Sequence, residues 1–148
     1  MSTVSPPWTY TLQLPHDPRA PGIARATLRT VLSAHDLSAL TPTAELVAGE
    51  LLTNAHLHTT GPYALRLLGS EAGRLRIAVW DTDPRVPPGF TKDREEAASV
   101  AVAPDDAETG RGLHLVRACA DSWGVSVLRQ LGGSKGGKLL WADCRGGG

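Results

Sequence analysis

Two apolar segments, residues 63–70 and 73–81, lie so close together in the chain that they can pair in only one way. Both have the composition of strands, and a connection this short joins antiparallel neighbours. The spacing therefore predicts a β-hairpin with a glycine in its short loop. Residues 124–131 and 138–144 flank the glycine-rich sequence GGSKGG and predict a second hairpin. We thus expect a sheet built largely from antiparallel pairs.

The N-terminal part of the chain predicts one strand and two helices before the first hairpin. Residues 8–15 alternate in character and end in proline, which is typical of a strand. Residues 17–35 have apolar residues at helical spacing, with Pro21 in the first turn or just before it. A second helix, 42–59, is expected to have Thr41 as its N-cap and proline at its first position.

The C-terminal part predicts a long loop and a third helix before the second hairpin. Residues 82–110 are rich in proline and charged side chains, which is typical of a functional lid or of a disordered loop. Residues 111–123 have helical spacing. The resulting order of elements is typical of an α+β fold, a two-layer sandwich whose mixed, mostly antiparallel sheet is covered on one face by helices. The chain of 148 residues is expected to form a single domain, 1–148.

The charge composition argues against one class of function. Basic and acidic residues number 15 each, so the formal net charge is zero, and a nucleic-acid-binding protein that uses a broad basic face is not expected. The sequence shows neither a signal peptide nor the ~18 apolar residues of a membrane span. We therefore expect a soluble, cytoplasmic protein. Cys119 and Cys144 are expected to be buried, reduced thiols, with a disulfide as the open alternative.

Glu50 and Asn54 lie one turn apart on the second predicted helix, where a helix is usually apolar. At ~100° per residue, they share a side with Leu46, Val47, Leu51, Ala55, Leu57 and His58, opposite Glu45, Gly49 and His56. A buried carboxylate is costly unless it is compensated. One interpretation is a core network, with Glu50 paired to an arginine and Asn54 bonded to backbone. The other is a polar pocket, in which Glu50 acts as a general base and Asn54 offers an oxygen ligand to Mg²⁺.

Two further features can bind a ligand. Asp81 ends an apolar strand, where a carboxylate can accept a hydrogen bond from a ligand amine or simply begin a turn. Gly110 and Gly112 lie at a loop-to-helix junction, where backbone N–H groups bind phosphate and Arg111 adds charge, although a flexible hinge has the same pattern. The sequence GGSKGGKLL matches the start of a P-loop but lies between strands, so we interpret it as a hairpin loop.

The order of these features resembles the GHKL (Bergerat-fold) ATPases, which include gyrase and the histidine kinases. The likeness consists of E-x-x-x-N-A on a helix, a strand ending in aspartate, a lid, a G-x-G that opens a helix, and a terminal hairpin. Within this superfamily, the sequences ELLTNAHLHT, VWDTDP, TGRGLHLV and GGKLLWAD are similar to the anti-sigma-factor serine kinases, especially the stand-alone actinobacterial type. The likeness extends over residues 10–143.

The resemblance implies a role for each matching residue. Glu50 would activate the attacking water or serine hydroxyl, Asn54 would ligate Mg²⁺ on the ATP phosphates, and Asp81 would bond the adenine amino group. The other implied ATP-binding residues are His58, Asp83, Gly110, Arg111, Gly112 and Leu113, of which the last four form the second glycine box. The lid, about 82–109, would close over the nucleotide.

Two positions depart from the family pattern. The first glycine box, normally D-x-G-x-G, is here DTDPR, a form that resembles the actinobacterial branch. A threonine often lies near the adenine aspartate on the strand after the last loop, and the sequence places Leu139 there.

The resemblance implies an ATP- and Mg²⁺-dependent serine/threonine-protein kinase that phosphorylates a small antagonist, or anti-anti-sigma, protein. The alternative is a non-catalytic nucleotide-binding module that sequesters a sigma factor or another regulatory partner. The two departures favour the module, whereas the presence of Glu50 and Asn54 favours the kinase. Family members commonly dimerise, so a homodimer is also implied, without direct contact to nucleic acid or membrane.

Overall fold

The computed structural model describes residues 7–70, 73–85, 120–128 and 136–145. Within these ranges lie β1 (Trp8–Leu14), α1 (Ala20–Ala34), a 3₁₀ turn (Ser38–Leu40), α2 (Thr41–His58), β2 (Tyr63–Ser70), β3 (Arg74–Asp81), β4 (Ser122–Leu128) and β5 (Gly137–Arg145). Both predicted hairpins are confirmed, because β2 pairs with β3 and β4 pairs with β5.

The strands form one sheet in the order β1-β2-β3-β5-β4. Every neighbouring pair in this described sheet is antiparallel. Because β5 inserts between β3 and β4, the two hairpins become one continuous sheet with β3 and β5 at its centre. The predicted α+β class is therefore confirmed.

The core lies between the two helices and one face of the sheet. It is built from apolar residues that alternate along the strands and recur at helical spacing, including Leu28, Leu32, Val47, Leu51, Leu52, Leu65, Leu67, Ile77, Val79 and Leu140. Full burial of one such side chain contributes roughly 1.5–3 kcal/mol. This packing holds α2 against β3 and so fixes the elements that carry the candidate site.

Neither helix begins at its predicted residue. α1 was predicted over 17–35 and begins at Ala20, with Pro21 in its first turn as expected. α2 begins at Thr41, so its N-cap is Leu40 and the predicted Thr41 cap is wrong. The reason is the preceding 3₁₀ turn, which leaves Thr41 with helical φ and ψ angles of −54° and −47°. Neither described helix is long and apolar enough to cross a membrane.

The third predicted helix, 111–123, extends too far at its C-terminal end. β4 already begins at Ser122, and Trp123 pairs with Ala142 of β5. The Trp123 side chain packs against the core, and such cross-strand packing outweighs local helical spacing. The rest of this predicted helix, 111–119, lies outside the described residues, as does most of the predicted lid.

Candidate functional site

The buried face of α2 is rotated relative to the face that the sequence pattern predicted. Leu46 and Leu57 were placed on the apolar side but are 38% and 63% exposed. The residues that are buried instead include Ala44, Ala48 and Leu52. The rotation follows from α1, which packs beside α2 and pairs its Arg29 with Glu45. Glu50 and Asn54 therefore lie along the edge of the buried face that is turned away from α1.

Asn54 is the buried polar residue of this edge. The residue is only 4% exposed, yet neither its Oδ1 nor its Nδ2 atom has a hydrogen-bond partner among the described residues. The core-network interpretation, in which Asn54 is bonded to backbone, therefore finds no support in the described part of the chain. Leaving a buried amide unpaired costs about 1–3 kcal/mol, so such a group calls for a partner, which a bound ligand, ion or water can supply.

Glu50 lies one turn before Asn54 and is half-buried. Its carboxylate forms no salt bridge with any lysine or arginine of the described residues. The alternative role, as the acidic member of a buried ion pair, is thus not seen in the described part of the structure. A half-buried carboxylate one turn from an unpaired amide places two polar side chains along the edge of the apolar, buried face of α2.

Asp81 ends β3 and is 1% exposed. The Nζ atom of Lys138 lies 2.9 Å from its Oδ1 atom and 2.9 Å from its Oδ2 atom. Burial raises the pKa of the Asp81 carboxyl, and the hydrogen bond from Lys138 opposes this effect. Asp81 is therefore more than a turn-forming residue, because its whole carboxylate is engaged in a buried polar cluster.

The sequence analysis missed Lys138, which is 2% exposed and faces the site. The register of β3 and β5 pairs Asp81 with Lys138 and Trp80 with Leu139. Because side chains alternate between the two faces of a sheet, Leu139 lies on the opposite face, and its predicted position near Asp81 is wrong. The available signal was a single lysine in the apolar run KLLWADC, which is unusual for a central strand.

The loop after β3 is held by consecutive side-chain-to-backbone hydrogen bonds. The Asp83 N–H donates to Asp81 Oδ1 over 2.9 Å, and the Arg85 N–H donates to Asp83 Oδ1 over 2.9 Å. Lys138 Nζ also donates to the Asp83 carbonyl oxygen over 2.8 Å. The Arg85 guanidinium lowers the pKa of Asp83 to about 2. These contacts define the conformation of the DTDPR loop, which departs from the predicted glycine-box pattern.

Gly137 allows β5 to approach β3 at this point. A Cβ atom at Gly137 would lie 2.4 Å from the Asp81 carbonyl oxygen and 2.4 Å from the Trp80 ring. No side chain fits at that distance, so the glycine is required for Lys138, the next residue, to reach Asp81.

Comparison with known proteins identifies the domain. A family model for the histidine kinase-like ATPase domain matches residues 14–141. The chain belongs to this family. Among solved structures, a chain of the crystal structure of the SiaB-SiaC complex from Pseudomonas aeruginosa has a TM-score of 0.65 at 14% sequence identity, over 90% of this chain and 88% of that chain. At this identity the likeness concerns the fold. No curated protein matches the sequence.

Membership of the histidine kinase-like ATPase family implies that the protein binds ATP, and its site offers a fitting ligand for the accompanying cation. The unpaired, buried Oδ1 atom of Asn54 is a hard oxygen donor of the type that Mg²⁺ prefers. The described residues contain no group of three or more His, Cys, Asp or Glu side chains able to hold a metal ion. A cation at Asn54 would thus depend on phosphate and water oxygens, as Mg²⁺ at nucleotides commonly does.

Of the remaining predicted site residues, His58 lies in the described part of the chain. His58 is exposed at the end of α2. His56 lies on another side of the helix, where its Nδ1 atom is 2.9 Å from the Tyr63 hydroxyl and its ring stacks on His16 at 4.2 Å. Residues 110–113, the predicted phosphate-binding turn, lie outside the described residues, so their role stays a prediction.

Proposed function

We propose that this protein is an ATP- and Mg²⁺-dependent serine/threonine-protein kinase of the anti-sigma type, acting on a small antagonist protein. The observation that carries the proposal is the buried, unpaired amide of Asn54 beside the half-buried Glu50 on one edge of α2. An unpaired buried oxygen suits a cation, and a carboxylate without a salt-bridge partner suits proton transfer.

Each side chain has a distinct task in this proposal. Asn54 would hold Mg²⁺ through its Oδ1 atom, and bound Mg²⁺ supplies charge neutralisation at the phosphates. Glu50 would accept the serine proton while the serine oxygen forms a bond to the γ-phosphorus and the bond from that phosphorus to the bridging oxygen breaks, releasing ADP. Asp81 would accept a hydrogen bond from the adenine amino group. Most of the rate enhancement would come from positioning and electrostatics.

The proposed partner is a small antagonist protein with a phosphorylatable serine. The solved structure reported above is a complex of two proteins, SiaB and SiaC, which supports the idea that a protein of this fold binds a protein partner. Neither a sigma factor nor a homodimer is required by this proposal.

The test uses the variants Glu50→Gln and Glu45→Gln. Glu45 is the matched control, because it lies on the same helix and pairs with Arg29 on the side turned away from the site. We expect Glu50→Gln to lower the rate of phosphoryl transfer from radiolabelled ATP to candidate antagonist proteins by about 10²-fold or more. Its affinity for ATP with Mg²⁺, measured by calorimetry, should change little. Undiminished transfer by Glu50→Gln would overturn the assignment of the base.

The competing function is a nucleotide-binding module without turnover. It is favoured by one observation, the engagement of both Asp81 oxygens by Lys138, which leaves fewer acceptors for the base. Tight binding of ATP without transfer to any antagonist would favour this module. No binding at millimolar ATP would overturn the kinase.

A further inference from the structure

We propose that Lys138 is the specificity-determining residue of the nucleotide site, because it presents Asp81 to the base as a pure hydrogen-bond acceptor. This inference rests on the proposed function, in which Asp81 contacts the purine at position 6. It concerns which bases the site accepts, and assigns to Lys138 the role of a positioning residue that acts through Asp81.

The Asp81 carboxylate has few hydrogen-bond acceptor sites left for a ligand. An ionised carboxylate has about four lone-pair sites and no proton to donate. Its Oδ1 atom accepts from the Asp83 N–H and from Lys138, whereas its Oδ2 atom is in ion-pair contact with Lys138, 2.9 Å from Nζ. One lone-pair site of Oδ2 remains, which is enough for one donor such as a 6-amino group.

The Lys138 ammonium is surrounded by acceptors of the protein itself. Its ammonium has three N–H groups and no acceptor. Three acceptors lie within 2.9 Å of Nζ, namely both Asp81 oxygens and the Asp83 carbonyl. Nζ donates to Asp81 Oδ1 and to the Asp83 carbonyl and is in ion-pair contact with Asp81 Oδ2, and the residue is only 2% exposed, so Lys138 faces acceptors of the protein rather than a ligand carbonyl. A purine with a 6-oxo group would therefore place an acceptor against an acceptor, and such a mismatch gives strong discrimination.

Lys138 also helps to keep the Asp81 carboxyl ionised. The other charged group that acts on Asp81 is the Asp83 carboxylate, itself paired with Arg85. Burial and, more weakly, the Asp83 charge raise the pKa of Asp81, whereas the hydrogen bonds from Lys138 and from the Asp83 N–H lower it. The helix α2 packs on β3 and also carries an ionisable group on the edge that bears Asn54, namely Glu50. Without the ammonium, Asp81 would take up a proton more readily. A protonated carboxyl can donate to a 6-oxo group, so the choice of base would weaken and become pH-dependent.

The experiment measures ATP and inosine triphosphate binding by calorimetry with Mg²⁺ at pH 6, 7 and 8. It compares the wild-type protein, Lys138→Met and the control Arg76→Met, which removes an exposed cation that joins the same two strands through Asp143. We expect the wild-type preference for ATP to be independent of pH. In Lys138→Met the preference should fall roughly tenfold or more at pH 6 and recover in part at pH 8. Arg76→Met should behave as the wild type.

The outcomes separate this inference from the proposed function. If the wild-type protein binds neither nucleotide, the proposed function itself fails. If Lys138→Met binds with the wild-type preference at every pH, only the role of Lys138 fails. Lys138→Gln carries the same expectation and is measured if Lys138→Met does not fold, as judged by circular dichroism. If neither variant folds, Lys138 is a structural partner of Asp81 and the inference is overturned.

Discussion

The Nζ atom of Lys138 lies 2.9 Å from each carboxylate oxygen of Asp81, and both side chains are almost fully buried. The two residues lie directly opposite each other on the central strands β3 and β5. A buried ion pair of this kind has large opposing energies, since desolvation of each charge is offset only by the attraction of the other. The pair therefore links the stability of the sheet to the chemistry of the site.

We expect Lys138→Met to lower the free energy of unfolding by about 3–5 kcal/mol, because it leaves a buried carboxylate uncompensated. The double variant Asp81→Asn with Lys138→Met should recover most of this loss, since asparagine is neutral and keeps an oxygen for the Asp83 N–H. Urea denaturation measures both. Arg76→Met, at the exposed pair with Asp143, should cost no more than about 1 kcal/mol. An equal loss in the single and double variants would contradict this account.

Asn54→Leu should stabilise the nucleotide-free protein by about 1–2 kcal/mol, because a buried amide without partners is replaced by an apolar group of similar size. The same variant should lose the increase in melting temperature that ATP with Mg²⁺ gives the wild-type protein. Thermal denaturation with and without nucleotide tests both effects. Thr53→Ala, an exposed change one residue away, is the control. Destabilisation by Asn54→Leu would show that Asn54 has a structural partner.

The two hairpins, and the position of Glu50 and Asn54 one turn apart on α2, could be predicted from sequence because they depend on local spacing. Short loops fix the register of β2 with β3, and Glu50 and Asn54 stand out against apolar neighbours. That Asn54 has no partner among the described residues could not be predicted, since it depends on what the other elements bring near it. The exposure of Leu57 depends likewise on where α1 packs.

The register of β3 with β5 shows a different limit. These strands are neighbours in the sheet, but the lid and the third predicted helix separate them in sequence, so no turn fixes their pairing. An error of one residue moves a side chain to the other face of a sheet. That error placed Leu139 beside Asp81, where the structure has Lys138. The resemblance could single out Asp81 as a candidate site residue, but the sequence did not indicate that Lys138 contacts it.

Asp83 should contribute acid-sensitive stability. Its pKa is lowered to about 2 by Arg85, from an unfolded-state value of about 3.9. A lowered carboxyl pKa stabilises the folded state above the unfolded value, and this contribution disappears as the pH falls from about 4 to about 2. Because Arg85 is largely exposed, Arg85→Ala should cost at most about 1 kcal/mol at pH 7.

Urea denaturation of the wild-type protein and Arg85→Ala across this pH range tests the effect. The two curves of stability against pH should converge at the acid end, where Asp83 is protonated. In an Asp83→Asn background, Arg85→Ala should have almost no effect, because the titrating group is gone. A constant difference between wild type and Arg85→Ala at all pH values would show that Arg85 acts through packing alone.

Gly137→Ala should destabilise the protein by about 1–3 kcal/mol, because its Cβ atom would collide with the Asp81 carbonyl oxygen and the Trp80 ring. Relief of this clash moves β5 away from β3 and Lys138 away from Asp81, so the affinity for ATP should fall as well. Gly22→Ala is the matched control, since its Cβ atom would have no neighbour within 4 Å. In a helix this change should be neutral or stabilise by up to about 1 kcal/mol. Chemical denaturation and calorimetry measure the two effects, and wild-type stability of Gly137→Ala would mean that β3 and β5 are not in such close contact beside the site.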